Sequence, residues 1–174
     1  MQESIQQPLQ RRHTLSLLVE NEFGVLVRVA GMFAGRGYNI ESITAAETLE
    51  PDISRMTIVT SGTDRAVEQI IKQLRKLINV LRVTDLSEMA YVERELALIK
   101  VDASTSSRRD EVQRVVDIFR ARVVDASPTV YVLEVTGDSD KISGCIDLLK
   151  PIGIQEIVRT GKIAIARGER VEVV

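Results

Sequence analysis

The chain has 174 residues, 44% of them apolar, and a formal net charge of −2, which suits one domain or two small ones with an ordinary core. That charge gives no electrostatic reason to expect nucleic acid or an anionic membrane as partner, and 3% aromatics with no tryptophan argue against base-stacking platforms. No apolar run approaches the roughly 20 residues of a membrane span. The lone cysteine, Cys145, excludes an intrachain disulfide and a cysteine metal cage, in keeping with a reducing cytoplasm.

The opening stretch, MQESIQQPLQ, is polar, contains a proline and lacks the apolar core of a signal peptide, so residues 1–10 are expected to form a flexible tail. His13–Val19 is apolar and β-branched, as a strand requires. Glu20, Asn21, Glu22 and Gly24 then break the pattern with turn formers. From Val25 the period changes, because Leu26, Val29, Ala30 and Phe33 recur at helical spacing. Gly35 and Gly37 stop the helix where a C-cap needs positive φ, and Tyr38–Ile43 resumes strand character. His13, the only histidine, falls at a strand start and is expected at a surface or edge.

The junction of strand and helix carries the chemistry. A helix N-terminus leaves backbone N–H groups unpaired and partially positive, which attracts a carboxylate. Gly24 removes the side chain that would block such a guest. Asn21 can donate and accept, as an α-amino group needs, and Val25 and Leu26 supply an apolar wall. The parts suit a small amino acid. A turn that caps a helix uses the same residues and is far commoner than a ligand site, so the local sequence alone favours the turn.

A turn at 48–54 carries Pro51 and Asp52, and Arg55–Thr60 reads as a third strand. Thr63 or Asp64 can cap a second helix with apolar residues at Val67, Ile70, Ile71, Leu74, Leu77 and Ile78. Asn79 closes it, and Val80–Leu86 is a fourth strand. The order β-α-β-β-α-β is the split-βαβ or ferredoxin-like unit, and the charged connector Ser87–Arg94 marks a domain boundary.

The same order then repeats. Leu96–Val101 reads as strand and Asp102–Arg109 as a Ser/Thr-rich loop. Val112, Val115, Val116 and Phe119 share one side of a third helix. Ala121–Ala126 and Thr129–Thr136 read as strands joined by a turn at Ser127 and Pro128. Ser139 or Asp138 can cap a fourth helix that faces Ile142, Cys145, Ile146 and Leu149 inward. Ile154–Arg159 is a strand, and Lys162–Ala166 can add another. The expected fold is α+β, two consecutive ferredoxin-like units at 11–87 and 94–170. Units of about 75 residues are near the size where one core is marginal, and open sheet edges invite a second copy. A homodimer through the first unit would bring Asn39 near the Asn21–Gly24 loop of the neighbouring subunit.

Catalytic signatures are missing. Cys145 lies on an apolar helical stripe, where a buried core thiol is the ordinary outcome. Glycines 31, 35 and 37 follow a helix, not a strand, which is wrong for phosphate cradling. The acidic and basic residues around Asp102 and Arg108 fit a solvated helix start. Nothing here resembles an independent enzyme.

The segments RRHTLSLLVENEFGVLVRVAGMFAGRGYNIESIT, EPDISRMTIVT, RARVVDASPTVYVLEVTGDSDKI and EIVRTGKIAIARG together resemble the regulatory, or small, subunits of acetolactate synthase, also called acetohydroxyacid synthase. The resemblance spans about residues 11–168; a general ACT domain would match only NEFGVL and GYNI. It implies that 11–87 is an ACT domain for effector binding and dimerisation and that 94–170 is a regulatory ferredoxin-like domain. It also implies feedback inhibition by valine or another branched-chain amino acid. The implied partner is a large catalytic subunit carrying thiamine diphosphate, Mg2+ and FAD, with no cofactor, metal or catalytic residue in this chain. The setting implied is branched-chain amino acid biosynthesis in the cytoplasm, or in an organelle stroma for a photosynthetic eukaryote. The effector loop then corresponds to Asn21, Gly24, Val25 and Leu26, and the partner-strand contact to Asn39 and Ile40. Phe23 stands where the family often has a smaller residue or proline, which bears on loop stiffness. The second-unit loop, DASTSSRRDE, lacks the Asn-x-x-Gly pattern, which implies no amino-acid site there. Two other readings share the fold: a stand-alone amino-acid-sensing regulator, and a structural stabilising subunit without an effector.

Overall fold

The structure, a computed structural model, describes residues 10–169, so the expected tail lies outside the described residues except for Gln10. The chain forms two compact units. One runs to Val92 and takes back the segment from Ala164; the other is Glu93–Ile163.

In the first unit, β1 (Arg11–Glu20), α1 (Val25–Ala34), β2 (Ser42–Glu47), β3 (Ile53–Gly62), α2 (Asp64–Leu74) and β4 (Val80–Asp85) follow the expected order. The antiparallel sheet runs β2-β3-β1-β4. Period-two alternation sends Leu15, Leu17 and Val19 of β1 to the face that also carries Met56, Ile58 and Val83. There they meet Val29 and Phe33 of α1 and Val67, Ile70 and Leu74 of α2 in one apolar core. Thr63 caps α2 by accepting the Ala66 N–H at 3.3 Å.

In the second unit, β5 (Tyr91–Asp102), α3 (Ser106–Phe119), β6 (Arg122–Ala126), β7 (Val130–Gly137), α4 (Ser139–Leu149) and β8 (Ile154–Arg159) repeat the topology, with sheet order β6-β7-β5-β8. Ile99 and Val101, Leu133 and Val135, and the inner faces of α3 and α4, including Cys145, make its core. The last strand, β9 (Ile163–Ala166), pairs with β5. Its Ala164 and Ala166 cluster with Leu86, Met89 and Tyr91. The chain is thus α+β with two βαββαβ units. No helix among the described residues is long and apolar enough to cross a membrane.

Four expectations need correction. The second strand begins at Ser42, not Tyr38; Tyr38 and Ile40 instead lean on the core from the loop. The second helix ends at Leu74, because i→i+3 bonds such as Leu77 N–H to Leu74 O tighten the chain there, leaving Ile78 exposed. The third helix opens inside the Ser/Thr-rich stretch, at Ser106, because Thr105 accepts the Arg108 N–H. His13 is neither at the surface nor on an edge strand: its side chain is 1% exposed, since β1 is an inner strand and is buried on both faces.

Candidate functional site

Where β1 ends, Asn21 turns the chain. Its N–H donates to Asp52 O at 2.8 Å, and its side-chain NH2 donates to Pro51 O at 2.9 Å and Glu47 Oε1 at 3.2 Å. Its Oδ1 accepts from Ser54 Oγ at 3.1 Å. The loop between β1 and α1 is thereby tied to the hairpin joining β2 and β3. Three residues on, Gly24 takes φ +83° and serves as the N-cap of α1 without any side-chain cap, and the first turn carries no acidic residue. Glycine takes this left-handed conformation without a Cβ penalty. A Cβ there would meet nothing within 4 Å, so the space in front of the helix is open.

That helix end borders a cleft of about 300 Å³. Asn21, Val25 and Leu26 line it from the loop and α1; Ala45, Ala46 and Glu47 line it from β2, with Ser54 and Met56 behind. Val25 is buried and joins the core, whereas Leu26 is half exposed. The side chains of Glu20 and Glu22, also in the lining, accept from Asn79 Nδ2 at 2.6 and 3.1 Å. The Arg28 guanidinium donates to Asn79 Oδ1. The lining therefore combines the carboxylates of Glu20, Glu22 and Glu47 with the start of α1, whose first amides favour a carboxylate. No imidazole or thiol lines it, so an ammonium group suits it better than a transition metal.

Of the six residues singled out from sequence, Asn21, Val25 and Leu26 share this cleft, and Gly24 adjoins them by chain. Asn39 and Ile40 lie outside its lining, in the loop that leads to β2. Asn39 is exposed, and its backbone oxygen accepts from Thr60 Oγ1 at 2.6 Å. Ile40 is half buried against the core. Sequence reasoning did not anticipate Glu47 and Ser54, the partners of Asn21, or Asn79, which was assigned only to a helix end yet is buried beneath three charged side chains. Nothing local marks these residues, because their partners lie 26 to 59 positions away.

Phe23, in the same loop, is fully exposed, and Leu26, Val27 and Leu49 also show apolar surface. β2 ends the sheet, so the cleft sits along an edge with unpaired backbone groups.

Residues 94–168 match a family model described as the small subunit of acetolactate synthase, and residues 15–82 match one described as an AHAS small subunit-like ACT domain. The acetolactate synthase small subunit of Aquifex aeolicus is 55% identical over 157 residues, covering 90% of this chain and 82% of that one. The isozyme 3 small subunit of Escherichia coli is 45% identical over 161 residues, 92% of this chain and 98% of its own. The crystal structure of the small subunit from Thermotoga maritima superposes with a TM-score of 0.81 at 42% identity, covering 92% of this chain and 99% of that chain.

Proposed function

The chain belongs to the family of acetolactate synthase small subunits, and from that membership we propose that it is a non-catalytic regulatory subunit acting in the cytoplasm. In this reading it binds a large catalytic subunit, raises its activity, and makes it sensitive to valine or another branched-chain amino acid. Thiamine diphosphate, Mg2+ and FAD belong to that partner, which condenses two pyruvates to 2-acetolactate with release of CO2.

The observation that carries the effector reading is the uncapped α1 terminus behind left-handed Gly24, opening on the cleft along β2. The effector carboxylate meets the first amides of α1, its ammonium group faces the Asn21 and Glu47 end, and Leu26 covers its aliphatic side chain. Pairing of two copies along β2 encloses the site, with Asn39 of the partner subunit supplying a further polar contact. An effector held between copies shifts a pre-existing equilibrium only by its differential affinity for the two states. About 1–3 kcal/mol of coupling is typical and gives several-fold to hundredfold modulation.

The test is reconstitution with the large subunit, with activity measured with and without valine, leucine and isoleucine. Activation together with inhibition by one of the three is the expected result. Activation with no response to any of them, and no heat of binding, would leave a structural stabilising subunit in its place. No pull-down of the large subunit would overturn the reading altogether.

A further inference from the structure

β4 forms the edge of the first sheet opposite β2, and no residue of β4 lines the effector cleft. Which of its backbone groups face outward follows from β1. Thr14 and Glu20 turn their N–H groups toward the β4 side, to Ser87 Oγ at 2.8 Å and Asn79 O at 2.9 Å. Hydrogen-bonded pairs alternate along an antiparallel ladder, so Ser16 and Leu18 bond their opposites Thr84 and Arg82. Val83, opposite Leu17, therefore directs its N–H and C=O away from the sheet. That carbonyl accepts from the guanidinium of Arg75, the C-cap of α2, at 3.3 Å.

These groups open on a cleft of about 620 Å³ between β4 and α2. Ile71 of α2, Leu81 of β4 and Met89 give it an apolar lining, and Arg75 and Arg82 give it positive charge. Asp85, also in the lining, is engaged by His13 and by the Ser87 N–H. From Arg65 to Arg82 the chain carries five basic residues and one acidic residue, Glu68, although the whole chain stands at −2. Lys72 is paired with Glu68 within the helix, and Arg75, Lys76 and Arg82 are all exposed. A strand edge with outward backbone groups and a basic rim suits an extended acidic segment that joins by strand addition. A second copy does not fit, because a twofold contact sets one patch against itself and would press these cations together.

We propose that β4 and the end of α2 dock an extended, acidic segment of the large catalytic subunit. The segment adds a strand beside Val83, and its carboxylates draw Arg75 from the Val83 carbonyl. The inference rests on the reading of this chain as that subunit's partner, and it names the surface used. Effector at β2 and catalytic partner at β4 then take opposite edges of one sheet, with β3 and β1 between them.

For the test, purified large subunit is immobilised and the full chain is passed over it at several salt concentrations. Wild type is expected to bind with an affinity that falls as salt rises. Arg75→Glu combined with Lys76→Glu, both at exposed side chains, should weaken binding at least about tenfold at low salt, with the gap narrowing at high salt. The heat of valine binding should be that of wild type. A benzophenone amino acid in place of Leu81 should cross-link to a large-subunit peptide rich in Asp and Glu. The double variant binding as tightly as wild type, or a Leu81 probe that cross-links to a second small subunit or to nothing while the complex forms, overturns the surface and leaves the functional reading standing. If wild type itself binds no large subunit, that reading fails and the surface falls with it. If the charge-reversed chain fails to fold, the Leu81 probe on the otherwise unaltered chain decides.

Discussion

Asn21 accepts a hydrogen bond from Ser54 Oγ at 3.1 Å, joining the end of β1 to the start of β3 across the mouth of the cleft. With the amide also donating to Pro51 O and Glu47, the side chain shapes the cleft. Asn21→Ala is therefore expected to cost about 0.5–1.5 kcal/mol, because its bonds to Glu47 and Pro51 are exposed and only Ser54 is a buried partner, and in the proposed reading to weaken the effector response as well. Ser54→Ala removes only one of these bonds and should do proportionately less in both denaturant titration and valine titration.

Gly24 separates charge from space. Because an added Cβ meets nothing within 4 Å at φ +83°, the cost of a side chain is backbone strain, which asparagine tolerates best. Gly24→Asn should keep both activation and a weakened valine response. In the proposed reading Gly24→Asp places a carboxylate where the effector's own would lie, so it should keep activation and lose feedback. Valine titrating the aspartate variant as tightly as wild type would remove the effector from this helix end.

Asn39 tests the shared site. Its backbone is pinned through Thr60 while its side chain is exposed, so Asn39→Ala should leave stability within about 0.5 kcal/mol. If the partner's Asn39 completes the site, calorimetry should show valine binding weakened by about 1 kcal/mol, several-fold. Unchanged affinity would confine the site to one copy.

Glu93 is expected to make the second unit sensitive to acid. Burial pushes its carboxyl up, but Lys162 Nζ at 2.6 Å and the Ser139 N–H outweigh this and hold it below the ordinary 4.5. A carboxyl depressed on folding stabilises fully above its unfolded value and loses that contribution as pH falls through its lower, folded value. Hydrogen-exchange protection of β5 and α4 should therefore fall below about pH 4.5. Glu93→Gln should be less stable than wild type at pH 7, and the gap should close in acid.

Arg120, at the C-cap of α3, is the non-glycine residue with positive φ, at 49°, among the described residues. A left-handed conformation costs an ordinary residue about 1–2 kcal/mol, and glycine returns about 0.5–1 kcal/mol of that as greater freedom in the unfolded chain. Arg120→Gly should thus raise the stability of the second unit by about 0.5 kcal/mol, read as a shift in its denaturation midpoint.

The repeated βαββαβ order, the apolar stripes Val67-Ile70-Leu74 and Ile142-Cys145-Leu149, and the open helix start at Gly24 were all legible in the chain, because period and glycine placement are local properties. Burial of His13 was not, since a strand's own residues do not reveal whether it is paired on both sides; β1 lies between β3 and β4, whose residues come 40 or more positions later. Nor were the partners of Asn21. Hydrogen bonds to Glu47, Pro51 and Ser54 exist only once β2 and β3 have folded back beside β1. Local sequence determined which segments coil and which extend; tertiary pairing alone decided which polar groups meet, because such contacts depend on register between distant strands.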